Sequence, residues 1–513
     1  MKKSNSLEQI VVTASQMTEI EGQIFAQGMP IPALMEKAAL LMTQRIQALY
    51  PPSLIKKVGA IVGPGHNGGD ALVIARELFL KGYEVKIYQP LAKLKDLTAN
   101  HAQYLHFLNL NFVENIENLQ NCELIIDGLF GFGLERKIEG ILAESINTLN
   151  NWDIPIVSID IPSGIHTDTG EILGTAIKAT YTLCLGLWKQ GLFQDQALEY
   201  IGKIERLDFG IPSQIVENIL GKNPPVQLLI RDLAQTYLPL PRPLLTHKYH
   251  QGHLLLICGS SRYAGATILA GLGAKVSGAG MLTIAVPESL KLLLNSQLPE
   301  ALIIPCEETE TGTIKNIDNI PNLNKYDIIA CGMGLTLEPI NIIKQLLTVN
   351  CPLILDADGL NILAQIDPIS TLKKRQFPTI LTPHLGEFKR LFPHIKVPDQ
   401  DRIKAIKKAV QETDTIVLLK GARTLICEKN SVLIIPESTP ALARGGSGDI
   451  LTGLIGGLLA QNLKMKPNLS LSLSVATGAY WHSQGAILAA QNHTEMGVDG
   501  VTLVKYLNPN LLF

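Results

Sequence analysis

ARGGSGD at 443–449, running directly into ILTGLIGGLLAQ at 450–461, is the stretch from which this chain is read most directly. Ile450, Leu451, Leu454, Ile455, Leu458 and Leu459 recur at helical spacing, which predicts a helix with Asp449 in its first turn and Gly445, Gly446 and Gly448 just before it. Glycines let several backbone N–H groups converge on an anion, and the unpaired amides and dipole of a helix start add positive potential. A carboxylate there is badly placed to bind phosphate but well placed to take a proton from a hydroxyl approaching that phosphate. The same residues also satisfy a plainer reading, a Gly-rich loop with Asp449 as a helix cap.

Composition sets the frame around this loop. At 513 residues the chain exceeds one typical core, so two domains are expected. With 46% hydrophobic residues, 18% charged and 43 glycines, it reads as a well-packed α/β protein. A formal net charge of −2 and the lack of a long basic tract argue against a nucleic-acid partner. Cys122, Cys184, Cys258, Cys306, Cys331, Cys351 and Cys427 lie far apart without a CxxC pair, as expected of reduced core thiols in a cytoplasmic protein. The start, MKKSNSLEQIVV, has no apolar run long enough for a signal peptide. Residues 468–492 lack Asp, Glu, Lys and Arg, but repeated Ser, Gly, Gln and His predict a tightly packed soluble helix there, and no membrane partner is expected.

Prolines crowd at Pro224, Pro225, Pro239, Pro241 and Pro243, disfavouring a continuous helix or central strand. The junction is placed near 225–245, with domains at 1–228 and 229–513. On both sides apolar runs bounded by Gly or Pro alternate with helical patterns, the rhythm of parallel-sheet units. No internal repeat is evident, so the halves are expected to be different modules.

In the first half, VGAIV at 58–62 reads as a buried strand, GPGHNGGD at 63–70 as a loop, ALVIARELFLKG as a helix ending near Gly82, and YEVKIYQP as the next strand. The spacing Gly63-x-Gly65-x-x-Gly68 fits the dinucleotide fingerprint, but the second strand ends in Gln89-Pro90 without the acid that would bind a ribose hydroxyl. His66, Asn67 and Asp70 make the loop oxygen-rich, suited to a cation or a polar ligand as well as to phosphate. Taken locally, Asp70 also reads as a helix N-cap and His66 as a solvated loop residue. LIIDGLFGFG at 124–133 and IVSIDIPSG at 156–164 place Asp127 and Asp160 at strand ends, which in open α/β sheets face the ligand crevice.

Through TASQMTEIE (13–21), LMEKAA (34–39), GPGHNGGD, IDGLFGFG (126–133), IDIPSGI (159–165) and LGLWKQGL (185–192), residues 10–210 resemble the NAD(P)HX epimerase family, a Rossmann-like three-layer domain. The resemblance implies potassium held by Asn67, Asp127 and Ser163. It implies a hydrated-nicotinamide site of His66, Asn67, Gly68, Gly69 and Asp70, the loop Gly131, Phe132, Gly133, Leu134, Glu135, Arg136 and Lys137, and Asp160. The family has Asn where His66 stands, Gly at Ala71 and Asn at Lys37. An all-oxygen donor set suits a hard cation.

The second half supplies four more strand-end motifs and a lysine loop: ICGSSRYAGAT (257–267), ACGMGL (330–335), LILDADGLN (353–361), ILTPHLGEFKRL (380–391) and VLLKGARTLI (417–426). Singly, Asp356 and Asp358 read as helix caps, His384 as a loop residue and Lys420 as a solvated charge. Together they line one sheet edge with amides, a cation, a histidine and an acid, a site for a phosphorylated ligand. DADGLN, LTPHxGE, LKGxxT and GGSGD in this order resemble the ADP-dependent NAD(P)H-hydrate dehydratases, a ribokinase-like family, across 245–505. The resemblance implies that Lys420, Gly421, Ala422, Arg423, Thr424 and Gly448 contact the adenine nucleotide. Ala266, Gly334, His384 and Asp449 would contact the hydrated cofactor. Tyr249 interrupts the usual HKG lead-in, and Thr336 stands where the family has a glycine.

Both resemblances together imply repair of hydrated NADH and NADPH. One half would interconvert the R and S forms at C6 with Asp160 as base. The other would dehydrate the S form with Asp449 as base, converting ADP to AMP and phosphate with Mg2+ on the nucleotide. A homo-oligomer is compatible with this reading. Two other functions fit the same residues: a ribokinase-like small-molecule kinase, and a protein whose first half only binds ligand.

Overall fold

The apolar runs read as strands build two large sheets, one in each of two units that divide between Val226 and Gln227. The computed structural model describes residues 6–396 and 399–512, so the first five residues of MKKSNSLEQIVV lie outside the described residues. In the seven-stranded sheet of the first unit the strands are β1 (Lys57–Val62), β2 (Glu84–Tyr88), β3 (Asn111–Val113), β4 (Leu124–Gly128), β5 (Ile156–Ile159), β6 (Tyr181–Leu185) and β7 (Lys203–Leu207). They lie in the order β3-β2-β1-β4-β5-β6-β7, every pair parallel. The order reverses between β1 and β4, where an open α/β sheet presents its ligand crevice.

Helices cover both faces of this sheet: α1 (Ala14–Ala26), α2 (Ile31–Leu49), α3 (His66–Leu80) and α4 (Ile141–Asn150) are the ones that matter here. Successive strand residues point to opposite faces. Val58, Ala60 and Val62 therefore join Met42 and Leu72 of α2 and α3, whereas Ile61 and Ile125 join Ile146 and Leu149 of α4. Each such fully buried aliphatic side chain contributes about 1.5–3 kcal/mol relative to exposure.

The loop expected at 63–70 is shorter than its glycines suggest: α3 begins at His66, with Gly65 as N-cap. A Cβ on Gly63 would stand 1.7 Å from the Leu129 carbonyl oxygen, and one on Gly68 2.0 Å from the Gly63 carbonyl oxygen. Backbone passes backbone here, so the turn closes in three residues. Asp70 is consequently a buried residue inside the helix and not its N-cap.

The second unit holds β8 (Val226–Leu228), β9 (His253–Ile257), β10 (Met281–Pro287), β11 (Leu302–Cys306), β12 (Ile328–Cys331), β13 (Leu353–Leu355), β14 (Thr379–Leu381), β15 (Ile416–Leu419), β16 (Leu425–Glu428) and β17 (Ser431–Ile434). Their order is β8-β17-β16-β15-β14-β13-β12-β9-β10-β11. Pairing is parallel from β11 to β15 and antiparallel between β15, β16 and β17. The helices that position its site are α5 (Ala264–Ser277), α6 (Leu385–Leu391), α7 (Ser447–Met465) and α8 (Leu471–His493).

Helix α7 is the one predicted from ILTGLIGGLLAQ, and it lies backbone to backbone on α5. A Cβ on Gly453 would stand 1.9 Å from the Ala270 carbonyl oxygen, and one on Gly273 2.2 Å from that of Ile450. Charge-free residues 468–492 fall mostly in α8, whose hydroxyls are met inside the protein: Ser472 donates to Glu428 (2.6 Å) and Asn462 to Ser474 (3.0 Å). No helix among the described residues is long and apolar enough to cross a membrane. All seven cysteines are buried free thiols.

Candidate functional sites

In the first unit β1, β4 and β5 are neighbours, so their C-terminal ends bring α3, Asp127 and Asp160 to one edge. Asp127, the fourth residue of β4, is fully buried and accepts four hydrogen bonds. Ser158 Oγ (2.8 Å) and the Ser163 N–H (2.9 Å) reach Oδ2; Ser163 Oγ (2.6 Å) and the Leu129 N–H (3.3 Å) reach Oδ1. Burial pushes its carboxyl above the usual range, and the Ser163 and Ser158 bonds oppose that. Asn67 lies one residue into α3, with its buried Nδ2 unpartnered. Gly131 leaves room for this amide, since a Cβ there would come within 2.9 Å of Asn67 Oδ1.

Asp160 follows β5 with φ of 67°, a left-handed conformation that costs a non-glycine residue about 1–2 kcal/mol. The turn is held from both sides. The Asp160 N–H donates to the Leu183 carbonyl (2.8 Å), and Oδ1 accepts from the Leu185 N–H (3.1 Å) and from the buried ammonium of Lys189. Oδ2 is buried and unpartnered.

A cavity of about 720 Å³ opens over these groups, lined among others by Glu21, His66, Asn67, Asp70, Asp160 and Lys189. Gly131, Phe132, Gly133, Leu134 and Arg136 also line it, and the Phe132 ring lies 5.6 Å from Lys189 Nζ. Gly68 and Gly69 are not in the lining; they sit inside α3, where a Cβ on Gly69 would press on Met35 at 2.8 Å. Glu135 and Lys137 are exposed and also outside the lining. The cavity favours uncharged acids: burial, then Asp160 and Glu21, raise the Asp70 carboxyl well above its ordinary value. Burial pushes Glu21 up to about 7, Lys189 pulling down and Asp160 pushing up. Burial and Lys95 lower the His66 imidazole.

Sequence reasoning missed Glu21, Lys189 and Ser158. The signal for Glu21 was available, because it falls on the same helical stripe as the buried Met17, Ile20 and Ile24. Lys189 lies in LGLWKQGL, one of the segments that carries the resemblance, but its neighbours name no partner: only the fold shows a lysine at 0% exposure pairing with a carboxylate.

In the second unit the five motif-bearing strands β9, β12, β13, β14 and β15 are consecutive and parallel, so their following loops share one edge. Asp449 is the third residue of α7, half-buried, behind Gly446 at φ of 90°. Burial pushes its carboxyl up to about 7, helped by Asp356 and Asp358 and opposed by Lys420. Asp356 is buried and takes Lys420 Nζ on Oδ1 (2.6 Å) and Thr452 Oγ1 on Oδ2 (2.6 Å), so it holds the lysine rather than merely capping a helix. Gly448 stands beside that lysine; a Cβ there would be 3.4 Å from Nζ.

The other predicted residues gather on neighbouring loops. Gly334 has φ of 64°, and a Cβ on it would meet that of Ala266 at 3.0 Å, so these two are adjacent. Thr336 adopts φ of 68° where the resembling family has glycine. It is held by its N–H donating to Asp358 (2.9 Å) and by its hydroxyl bonding to Thr313 (3.2 Å). His384 is the N-cap of α6: Nδ1 accepts the Gly386 N–H (2.9 Å), and its own N–H donates to Glu387 (2.9 Å). The loop Lys420, Gly421, Ala422, Arg423 and Thr424 is braced from below by Arg402, which donates to the carbonyls of Leu419 (3.3 Å), Lys420 (3.1 Å) and Arg423 (3.0 Å). A cleft of about 450 Å³ opens beside Arg423.

Arg402 and His482 were not found from sequence. His482 is buried on α8, its imidazole pushed down to about 4 by burial against an opposing hydrogen bond with the Ser447 backbone. Among the described residues no group of three or more His, Cys, Asp or Glu side chains is placed to hold a metal ion.

Known proteins bear on both sites. The family model described as NAD(P)H-hydrate dehydratase matches residues 254–509, and that described as YjeF-related protein N-terminus matches 32–191. A bifunctional NAD(P)H-hydrate repair enzyme from Synechocystis is 54% identical over 97% of this chain and 94% of its own length. One from Thermosynechococcus vestitus is 48% identical over 98% and 97%. The ADP/ATP-dependent NAD(P)H-hydrate dehydratase of Bacillus subtilis, co-crystallised with ATP and Mg2+, is 31% identical over 53% of this chain and 92% of that one, with a TM-score of 0.43.

Proposed function

Because this chain belongs to the family of bifunctional NAD(P)H-hydrate repair enzymes, we propose how its two units divide the restoration of hydrated NADH and NADPH. The observation that carries the reading is Asp449: a half-buried carboxyl at a glycine-lined helix entrance, next to the lysine loop.

Water added across C5–C6 of the nicotinamide leaves a hydroxyl on C6, beside the ring nitrogen, and hydroxide is a poor leaving group. Asp449 takes the hydroxyl proton as the oxygen attacks the terminal phosphorus of ADP. A C6–O–P bond forms, the bond to AMP breaks, and the amides of Gly445 to Gly448 stabilise the developing charge. Phosphate then leaves with the help of the nitrogen lone pair, and loss of a C5 proton restores NAD(P)H. Lys420 and its loop receive the nucleotide, and Ala266, Gly334 and His384 bound the side from which the hydrated ring approaches. Mg2+ suits the nucleotide's phosphates as partner.

The dehydratase uses one C6 form, so the first unit interconverts the two, with Asp160 as base at the carbinolamine. Asn67, Asp127 and Ser163 are the residues that would hold potassium. Their donors are oxygens, and the missing Cβ of Gly131 leaves a cradle at the Asn67 amide, which fits a hard monovalent cation. Bound there, it would offset the buried Asp127 charge and steady a polar ligand. Seven buried free thiols suit a reducing, cytoplasmic setting.

The test mixes the purified full chain with hydrated NADPH and ADP and follows return of the reduced-nicotinamide absorbance, first with a single C6 form and then with the mixture. Full recovery from the mixture is expected. ADP consumption with a stable phosphorylated product and no absorbance gain would identify a kinase instead. Recovery of only one form would leave the first unit as a binding module.

A further inference from the structure

The cavity of the first unit contains more acid than one proton-abstracting base requires. Glu21, Asp70 and Asp160 all line it, with the single fully buried ammonium of Lys189. Lys189 is committed to Asp160 Oδ1, while Asp160 Oδ2 stays buried and unpartnered in a residue that lines the cavity. Glu21 is presented by α1 on the face that carries Met17, Ile20 and Ile24 into the core, so it is anchored toward the interior.

We propose that Glu21 is a second catalytic residue of this cavity, giving a proton to the substrate while Asp160 takes one, with Lys189 as the positioning residue of Asp160. The proposal rests on the epimerase reading and deepens it. Inverting C6 through ring opening needs two groups. Asp160 removes the C6 hydroxyl proton, the C6–O bond becomes a carbonyl, and the C6–N1 bond breaks with its electron pair passing to N1. N1 takes the proton of Glu21. Rotation about C5–C6 presents the other carbonyl face to N1. Reclosure returns the N1 proton to Glu21 and the Asp160 proton to the new hydroxyl, so both carboxyls end as they began.

Electrostatics supports unequal roles. Three ionised carboxyls would leave two negative charges unbalanced in a desolvated pocket, and Lys189 neutralises only the one it touches. Glu21, pushed up to about 7, is matched to proton exchange near neutrality, whereas burial, with Asp160 and Glu21 beside it, raises the Asp70 carboxyl well above its ordinary value. The charged groups facing Glu21 are Lys189, Asp160 and Asp70. Farther out, the lining carries His66, Lys93, Lys95, Asp96 and Arg136.

The experiment gives the full chain one C6 form of hydrated NADH without ADP, where spontaneous exchange is slow, and separates the two forms by chromatography. Glu21→Gln is expected to slow exchange by roughly 100-fold or more, while dehydration of the S form with ADP keeps its wild-type rate. Wild-type exchange should decline as pH rises above about 7, where Glu21 loses its proton. Glu21→Gln should lack that decline and Glu21→Asp should displace it. Wild-type exchange by Glu21→Gln, with Asp160→Asn inactive, overturns the role of Glu21 and leaves the epimerase reading standing. Wild-type exchange by both variants overturns the epimerase assignment of Asp160 as well. If Glu21→Gln also impairs dehydration, Glu21→Asp decides: a displaced pH limb supports the proposal and an unmoved one overturns it.

Discussion

Replacing Asp449 by Asn should make the protein more stable while making the dehydratase inert. In the folded chain burial and the neighbouring Asp356 and Asp358 lift this carboxyl from 3.8 to about 7. A carboxyl whose folded value is raised carries no penalty below 3.8, where both states are protonated. Between 3.8 and about 7 the unfolded chain ionises first, and stability falls with rising pH. At about 1.4 kcal/mol per unit, the full penalty above that range is roughly 4 kcal/mol, an upper value because solvent screens a half-buried group. Asparagine is neutral throughout, so the stability gain of Asp449→Asn over wild type should climb by about 1.4 kcal/mol per pH unit between about 5 and 7, then level off. Urea unfolding of the full chain, followed for wild type and variant from pH 5 to 8.5, reads this difference directly. The same ionisation should govern catalysis, with wild-type dehydration rising about tenfold per pH unit up to about 7 and then flattening. A stability difference that is flat across this range, or a variant that still dehydrates, refutes the reasoning.

Two further outcomes test how the sites are built. Gly453→Ala drives a Cβ to within 1.9 Å of the Ala270 carbonyl, so α7 must move off α5. We expect a loss of about 1–3 kcal/mol and slowed dehydration with epimer exchange intact, and an unchanged unfolding midpoint with unchanged turnover would contradict this packing. In the first unit Ser163→Ala removes the 2.6 Å bond to Asp127 Oδ1 and should abolish any dependence of epimer exchange on potassium, measured against choline buffer. Wild-type exchange that ignores the cation present would sink the potassium assignment.

Much of this protein is legible in its sequence, because strands buried on both faces and helices with apolar stripes write their periodicity into the chain. The α/β class, the helix after GGSGD with Asp449 in its first turn, and the strand-end positions of Asp127 and Asp160 all follow from patterns a few residues long. The start of α3 did not: whether residues 63–70 form a loop or a turn plus helix depends on how closely Gly63 and Gly68 approach other backbone, which is set by β4. Thr336 in a glycine-like conformation is likewise intelligible only beside Asp358 and Thr313.

The sequence by itself determined which residue types stand at which strand ends, since that depends on local spacing alone. Only the tertiary structure decided which charges meet. Lys189 is 29 residues from Asp160, and Lys420 is 64 from Asp356, yet each pair closes to a direct contact. Those contacts, together with burial, set the proton affinities of Glu21 and Asp449. Coulomb energy depends on distance and local dielectric rather than on order along the chain, so the assignment of acid and base belongs to the fold.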